Sequence, residues 1–122
     1  MEKNLIHSID LASFGEEHAC RFLLKNKYTI LERNYRIPQG EIDIVARKGD
    51  VIAFVEVKTR ATSAFAQPWE AVGHHKRKRL RIAAKAYIRE RSVRNLEFRF
   101  DVISITLNEQ MKPELEWIQA AF

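Results

Sequence analysis

The sequence predicts an α/β domain with the element order αβββαββ, in which a mixed central sheet is flanked by helices. Three observations support this fold class. Apolar residues make up 46% of the 122 residues, enough for a buried core. Three strand-like segments follow one another closely between residues 28 and 60. Helical patterns lie before and after them. The length fits one domain, residues 1–122, of which residues 1–12 are expected to be disordered.

The first helix is predicted over residues 13–27, with Ser13 as N-cap and Glu16 in the matching position of a capping box. The second helix is predicted to end near Arg91. It could begin as early as Pro68, although Gly73 would then weaken it by about 1 kcal/mol. Strands are predicted over residues 28–35, 41–47, 51–60, 98–107 and 115–118, by apolar alternation or β-branched content.

Composition excludes several classes of protein. One cysteine excludes a disulfide framework and a cysteine-rich zinc site, and it suits a reducing compartment. No apolar run approaches the roughly 20 residues of a membrane span. We therefore expect a cytoplasmic protein with no membrane partner.

The net charge of +5 is unevenly distributed. Residues 74–94 carry nine basic residues and one acid, a net +8, whereas the rest of the chain carries −3. Four of the basic residues follow helical spacing on the outward face, and we call them the basic stripe: Lys78, Arg81, Lys85 and Arg89. Such a stripe suits a phosphate backbone, and a solvated helix face is the alternative interpretation. Lys76 aligns with the inward line of the helix, where it either reaches an active centre or snorkels to water.

Two acids are predicted to meet between the second and third strands. If Gly49 and Asp50 form a two-residue hairpin loop, facing residues have numbers that sum to 99, so Asp43 faces Glu56 and Glu41 faces Lys58. A four-residue loop keeps this pairing, whereas a three-residue loop would shift it by one. Cross-strand Cβ atoms lie about 4.5–5.5 Å apart, and like charges this close destabilise the sheet unless a divalent cation offsets them. Glu56 and Lys58 share one face. The alternative places both acids in water at strand ends, with Lys58 paired to Glu41.

Glu16 falls on the buried stripe of the first helix, together with Ala19, Cys20 and Leu23. Its position near a helix N-terminus is favourable for an acid, so capping alone could explain it. The other interpretation makes it a third acid at the site.

At these positions the sequence resembles a known group of enzymes. Asp43 followed by Glu56-Val57-Lys58 resembles the core motif of the PD-(D/E)XK nuclease superfamily. A wider pattern spans residues 13–122: Gly15-Glu16, Arg33-Asn34-Tyr35-Arg36, Gly40-Glu41-Ile42-Asp43, Phe54-Val55-Glu56-Val57-Lys58-Thr59-Arg60, Lys76, Arg99-Phe100-Asp101-Val102 and Ala121-Phe122. This pattern is similar to the YraN family of small bacterial proteins, whose fold is similar to that of archaeal Holliday-junction resolvases.

The resemblance implies a restriction-endonuclease-like core with Asp43 and Glu56 as ligands of Mg²⁺ or Mn²⁺. It makes Lys58 the residue that orients the attacking water or stabilises the transition state, and Glu16 the acid that completes the site. It also implies a two-fold dimer. The chain departs from the pattern at two positions: Ile42 replaces a proline before Asp43, and Ala66 replaces a glycine after the third strand.

We therefore expect an endonuclease dependent on Mg²⁺ or Mn²⁺ that acts on branched or structured DNA. The residues expected to contact nucleic acid are Arg36, Arg60, Lys76 and the basic stripe. One alternative is a non-catalytic nucleic-acid-binding protein that retains the nuclease fold. Another is a protein-interaction domain with a basic helix.

Other candidate functional residues receive structural interpretations. Cys20 is expected to be a buried thiol and Trp117 to pack on the sheet. Asp101 is expected to pair with Arg99 or Arg36. Phe65 and Trp69 could stack on unpaired bases, but packing in the core or in a dimer is the favoured interpretation.

Overall fold

A computed structural model describes residues 11–61 and 73–122. Its elements follow the order αβββαββ, which confirms the predicted fold class. They are α1 (Leu11–Lys25), β1 (Thr29–Ile37), β2 (Gly40–Lys48), β3 (Val51–Arg60), α2 (His74–Glu90), β4 (Glu97–Leu107) and β5 (Pro113–Ile118). Neither α1 nor α2 is long and apolar enough to cross a membrane, and no other helix in the described ranges is.

The five strands form one mixed sheet in the order β1-β2-β3-β4-β5. The β3–β4 pair is parallel, with α2 in the connection between these strands, and the other pairs are antiparallel. The helices cover opposite faces. Ala53 and Val55 pack with the α1 cluster, whereas Ile52 and Phe54 pack with the α2 cluster. Because β3 is buried on both faces over this stretch, its sequence is almost continuously apolar.

Several element ends differ from the prediction. Ser13 is not the N-cap, because α1 begins two residues earlier, at Leu11. Leu11 is half-buried and lines the cavity described below. Gly73 is extended (φ −76°, ψ 174°) and precedes the first residue of α2, so one continuous helix does not run through it. The predicted start at Pro68 and the interpretations of Phe65, Ala66 and Trp69 fall outside the described residues. Of residues 1–12, only residues 11 and 12 are described, and both belong to α1.

The hairpin between β2 and β3 has the predicted register. Five pairs whose numbers sum to 99 run from Lys48–Val51 to Ile44–Val55, around a turn in which Gly49 has φ +60°. The backbone pairing ends there, one position short of Asp43 and Glu56. Asp43 instead accepts a hydrogen bond from the Val57 N–H through Oδ2 (2.8 Å). The side chain of Asp43 thus contacts the β3 backbone just beyond the last ladder pair, which fixes the carboxylate beside Glu56.

The predicted contact between Glu41 and Lys58 does not extend this ladder. Glu41 pairs instead with Arg36 on β1. Lys58 forms its ion pair with Glu56, on its own strand. The β2–β3 pairing ends at Ile44–Val55, three positions before Glu41 would meet Lys58, so this contact is not part of the ladder.

Close packing of α1 on β3 depends on Gly15. A Cβ at this position would lie 1.9 Å from Thr59 Oγ1. We expect Gly15→Ala to lower the free energy of unfolding by about 1–3 kcal/mol, as overpacking does. Denaturant unfolding would measure the loss. The double variant with Thr59→Ala removes the clashing hydroxyl, so it should lose less stability than the two single variants added together, and strictly additive losses would contradict this explanation.

Candidate functional site

A cavity of about 350 Å³ opens where the start of α1, the start of α2, β2 and the second half of β3 meet. We call it the site cavity. Its lining residues are Leu11, Ala12, Glu16, Asp43, Glu56, Val57, Lys58, Thr59 and Lys76. The fold therefore brings together all four predicted catalytic residues, and it adds Lys76 from the following helix.

Glu56 is the most constrained group of the site cavity. It lies on the central strand, on the α2 side, and only 2% of its surface is exposed. Oε2 lies 3.0 Å from Lys76 Nζ and 3.6 Å from Lys58 Nζ. Oε1 is buried without a hydrogen-bond partner, alone in this respect among side-chain polar atoms of the described ranges. A buried carboxylate oxygen left unpaired is destabilising, and either a protonated Asp43 carboxyl or a bound cation would satisfy it.

Asp43 carries the strongest electrostatic perturbation of the site. Burial, followed by the negative charge of Glu56, raises the pKa of Asp43 to about 7. The hydrogen bond from the Val57 N–H and the charge of Lys76 act in the opposite direction without cancelling the effect. Two carboxyl groups thus share one low-dielectric position, where a bound cation would favour ionisation of both.

Asp43 should make the stability of the metal-free protein depend on pH. A carboxyl whose pKa rises from 3.8 to about 7 on folding contributes stability that is complete below about pH 4 and is lost as the pH passes 7. We expect the free energy of unfolding to fall by about 2–4 kcal/mol between pH 4 and pH 8 from this group. Urea unfolding across this range, with EDTA, measures it. Asp43→Asn should remove the decline, and parallel profiles of the two proteins would contradict the assignment.

Glu16 is electrostatically coupled to the site by the charge of Asp43. Burial raises the pKa of Glu16, and the negative charge of Asp43 adds to the effect. A side-chain hydrogen bond with Asn34 and the charges of Arg33 and Arg36 oppose it. Asn34 was not singled out by sequence reasoning, although its left-handed backbone (φ 55°) is of a kind that Asn tolerates well.

Lys76 reaches inward, one of the two placements that helical spacing left open. It lies in the first turn of α2, with 41% of its side chain exposed. Burial alone would lower the pKa of Lys76, but the hydrogen bond and charge of Glu56, with the charges of Asp43 and Glu41, raise it. The ammonium group is therefore held as a cation beside the two carboxyl groups.

The four residues of the basic stripe are all exposed, as predicted. The Arg81 guanidinium lies over the rings of Phe100 and Phe122, 5.7 and 5.4 Å from their centroids, which anchors one side chain of the stripe. Arg36 is exposed on β1, and Arg60 is half-buried at the end of β3. Their contact with nucleic acid remains a prediction.

Three residues given structural interpretations, Asp101, Trp117 and Cys20, behave as expected. Asp101 is fully buried and holds Arg99, not Arg36, through two hydrogen bonds of 2.8 Å. Trp117 stacks edge-on with two aromatic rings and donates its Nε1–H to Asp101. Cys20 is a buried free thiol.

The available donor set determines which metal would fit. Within residues 11–61 and 73–122, no three His, Cys, Asp or Glu side chains are grouped closely enough to hold an ion. Asp43 and Glu56 alone would therefore be the protein ligands. Two carboxylates with free space beside them fit Mg²⁺ or Mn²⁺, which complete their shell with water and substrate phosphate, and they do not fit a structural zinc site.

Fold and site together define a small mixed α/β protein with three carboxylates and two lysines at one cavity. The chain belongs to the family described as "Uncharacterised protein family UPF0102", whose sequence profile matches residues 15–105. Similar chains include a UPF0102 protein of Geobacter metallireducens, 44% identical over 96% of this chain and 95% of the relative. A UPF0102 protein of Clostridium acetobutylicum is 44% identical over 89% of this chain and 90% of the relative.

Proposed function

We propose that the protein is an endonuclease dependent on Mg²⁺ or Mn²⁺ that hydrolyses phosphodiesters in branched or structured DNA. One observation carries the proposal: Glu56 Oε1 is buried without a partner, next to Asp43, at the edge of a cavity that also contains two lysines. A purely structural carboxylate would be expected to have its acceptors satisfied.

Each residue of the site cavity has a role in this reaction. Asp43 and Glu56 would hold the cation, which when bound supplies positive charge at the phosphate and lowers the pKa of a bound water. Lys58 projects from the same face of β3 as Glu56, so it orients the attacking water and stabilises charge that develops on the phosphate. Glu16 adds a third negative charge at the cavity wall, next to Asp43.

The basic stripe supplies the proposed DNA affinity. It spans about 16 Å of α2, whose first turn carries Lys76 into the site cavity. Arg36 lies on β1, opposite Glu41 of β2, and Arg60 lies on β3, two residues after Lys58. Both therefore add positive charge on the sheet side of the site cavity. Contacts of this kind bind phosphates without reading sequence, and their affinity falls steeply with salt.

The choice of branched DNA rests on the resemblance of the Asp43 and Glu56-Val57-Lys58 pattern to resolvase-type nucleases. That resemblance also supports a two-fold dimer, in which two site cavities would act on one branched substrate. Sedimentation of the purified protein tests the dimer separately from the chemistry.

The decisive experiment incubates labelled junction, flap, nicked duplex, linear duplex and RNA substrates with the protein and Mg²⁺ or Mn²⁺. We expect cleavage of branched DNA above linear duplex, and none in EDTA. Gel shifts on the same substrates measure binding. Binding without cleavage, together with no calorimetric signal for either metal, would replace the enzyme with a nucleic-acid-binding protein of the same fold. No binding at low salt would favour a protein partner instead.

A further inference from the structure

The ammonium group of Lys76 lies where a positive charge is needed when no metal ion is bound. Its Nζ is 3.0 Å from Glu56 Oε2, closer than Lys58 Nζ at 3.6 Å. We propose that Lys76 is an exchangeable counter-ion of Glu56. It yields the carboxylate to the divalent cation and then turns to the substrate phosphate. This inference rests on the proposed function and assigns a further residue to the same site.

The two partners of this ion pair differ in their freedom to move. Glu56 lies on the central strand with 3% of its side chain exposed, so its carboxylate is fixed. Lys76 lies in the first turn of a helix, with 41% of its side chain exposed and a flexible four-carbon stem. When a cation occupies Glu56, Lys76 is therefore the partner that moves, and the site cavity that it lines gives it space.

Lys58 is less suited to this exchange. It is two residues from Glu56 on the same strand and has only 23% of its side chain exposed, so its stem has less room to move than that of Lys76. Lys76 comes from a different element, and it reaches the carboxylate only because α2 packs closely on the sheet. We therefore assign the exchange with the metal ion to Lys76 on α2, and the orientation of the reacting groups at the phosphate to Lys58 on β3.

The net charge of the site cavity indicates how the exchange would assist the reaction. Without a metal, the two lysines offset Asp43 and Glu56, and Glu16 brings the five ionised groups of the cavity to a net charge of −1. A divalent cation in the same cavity changes this to +1, and Lys76 no longer has a carboxylate of its own. A phosphodiester carries one negative charge and gains a second during attack by hydroxide, so the displaced ammonium group meets charge that grows along the reaction.

The test measures metal affinity in the absence of DNA. Lys76→Met keeps the length of the stem and removes the charge. Lys25→Met makes the same change at an exposed position in the last turn of α1 and serves as the control. Calorimetry with Mn²⁺ should show about tenfold tighter binding to Lys76→Met than to wild type or Lys25→Met, as expected when a competing cation is removed. Lys76→Arg keeps the competitor and should not show the gain.

Thermal unfolding and cleavage complete the test. Metal-free Lys76→Met should unfold at a lower temperature than wild type, because Glu56 has lost its nearest cation, and saturating Mn²⁺ should raise its midpoint by more than it raises that of wild type. Cleavage at saturating Mn²⁺ should fall despite the tighter binding of metal. A merely structural ion pair would lower the midpoint without tightening metal binding.

The outcomes separate this inference from the function on which it rests. If wild type binds Mn²⁺ and cleaves DNA while Lys76→Met shows unchanged or weaker affinity, the exchange is wrong and the nuclease stands. If only Lys76→Met binds Mn²⁺, Lys76 blocks Glu56 without yielding it, so the exchange is wrong and the metal-dependent function of wild type fails with it. If neither protein binds metal, the proposed function fails, and the exchange fails with it.

Discussion

Glu56→Gln is expected to reduce metal-dependent DNA cleavage by at least about 10²–10³-fold, the scale seen when one preorganised electrostatic partner of a transition state is removed. The amide keeps the volume of the side chain but provides no anionic ligand, so Asp43 would be the only remaining carboxylate ligand. DNA affinity should persist, because the basic stripe lies outside the site cavity. Single-turnover cleavage and gel shifts on one labelled junction measure the two effects separately.

The same substitution should leave the metal-free protein at least as stable as wild type. Glu56 raises the pKa of Asp43, which means that the two buried carboxyl groups repel each other. Loss of one charge removes this repulsion, and the ammonium groups of Lys76 and Lys58, both at a cavity that opens to water, can turn outward. A residue retained for function at some cost in stability behaves in this way, whereas a structural carboxylate destabilises the fold when it is replaced.

Glu116 provides the matched control. It is an exposed glutamate on β5, and Glu116→Gln changes the net charge by the same amount away from the site cavity. It should cleave at the wild-type rate. Equal cleavage by Glu56→Gln and Glu116→Gln would remove Glu56 from the reaction and with it the proposed metal centre.

Local sequence signals were sufficient for the hairpin that carries both acids. Gly49 favours the positive φ of a two-residue turn, and a turn of this length fixes the pairing of all residues that follow. The register therefore followed from the sequence down to Ile44–Val55. Where the pairing stops did not follow. Beyond Ile44 the Asp43 side chain accepts a hydrogen bond from the Val57 N–H of β3, and periodicity does not encode whether a side chain or a backbone oxygen is the acceptor.

The position of Lys76 was left open for a different reason. Helical spacing showed that it points inward, but the distance from α2 to the sheet decides whether it reaches Glu56. That distance depends on Gly40, where a Cβ would lie 2.1 Å from the Arg79 backbone oxygen. Because Gly40 has no side chain, a helix that begins more than 30 residues later can approach β2 closely. Neither segment alone contains a sequence pattern that predicts this long-range contact.

Asp101→Ala is expected to have the largest effect on stability, a loss of about 3–5 kcal/mol. Asp101 is fully buried, and its two oxygens accept hydrogen bonds from Arg99, Trp117 and the Ala120 N–H. Its removal would leave the guanidinium of Arg99, only 21% exposed, without its anion, and would leave two further donors unpaired. Urea unfolding at neutral pH measures the loss.

A double-variant cycle with Arg99→Met tests whether the loss comes from the ion pair. With both charges absent, no unpaired guanidinium remains, so the double variant should be more stable than the sum of the single losses predicts. Strict additivity, or a loss below about 1 kcal/mol for Asp101→Ala, would contradict the account. Asp101 does not line the site cavity, so the folded fraction of Asp101→Ala should keep its metal affinity. This result would distinguish two buried acids: Asp101, whose two oxygens both accept hydrogen bonds, and Glu56, whose Oε1 has no hydrogen-bond partner and which is the proposed metal ligand.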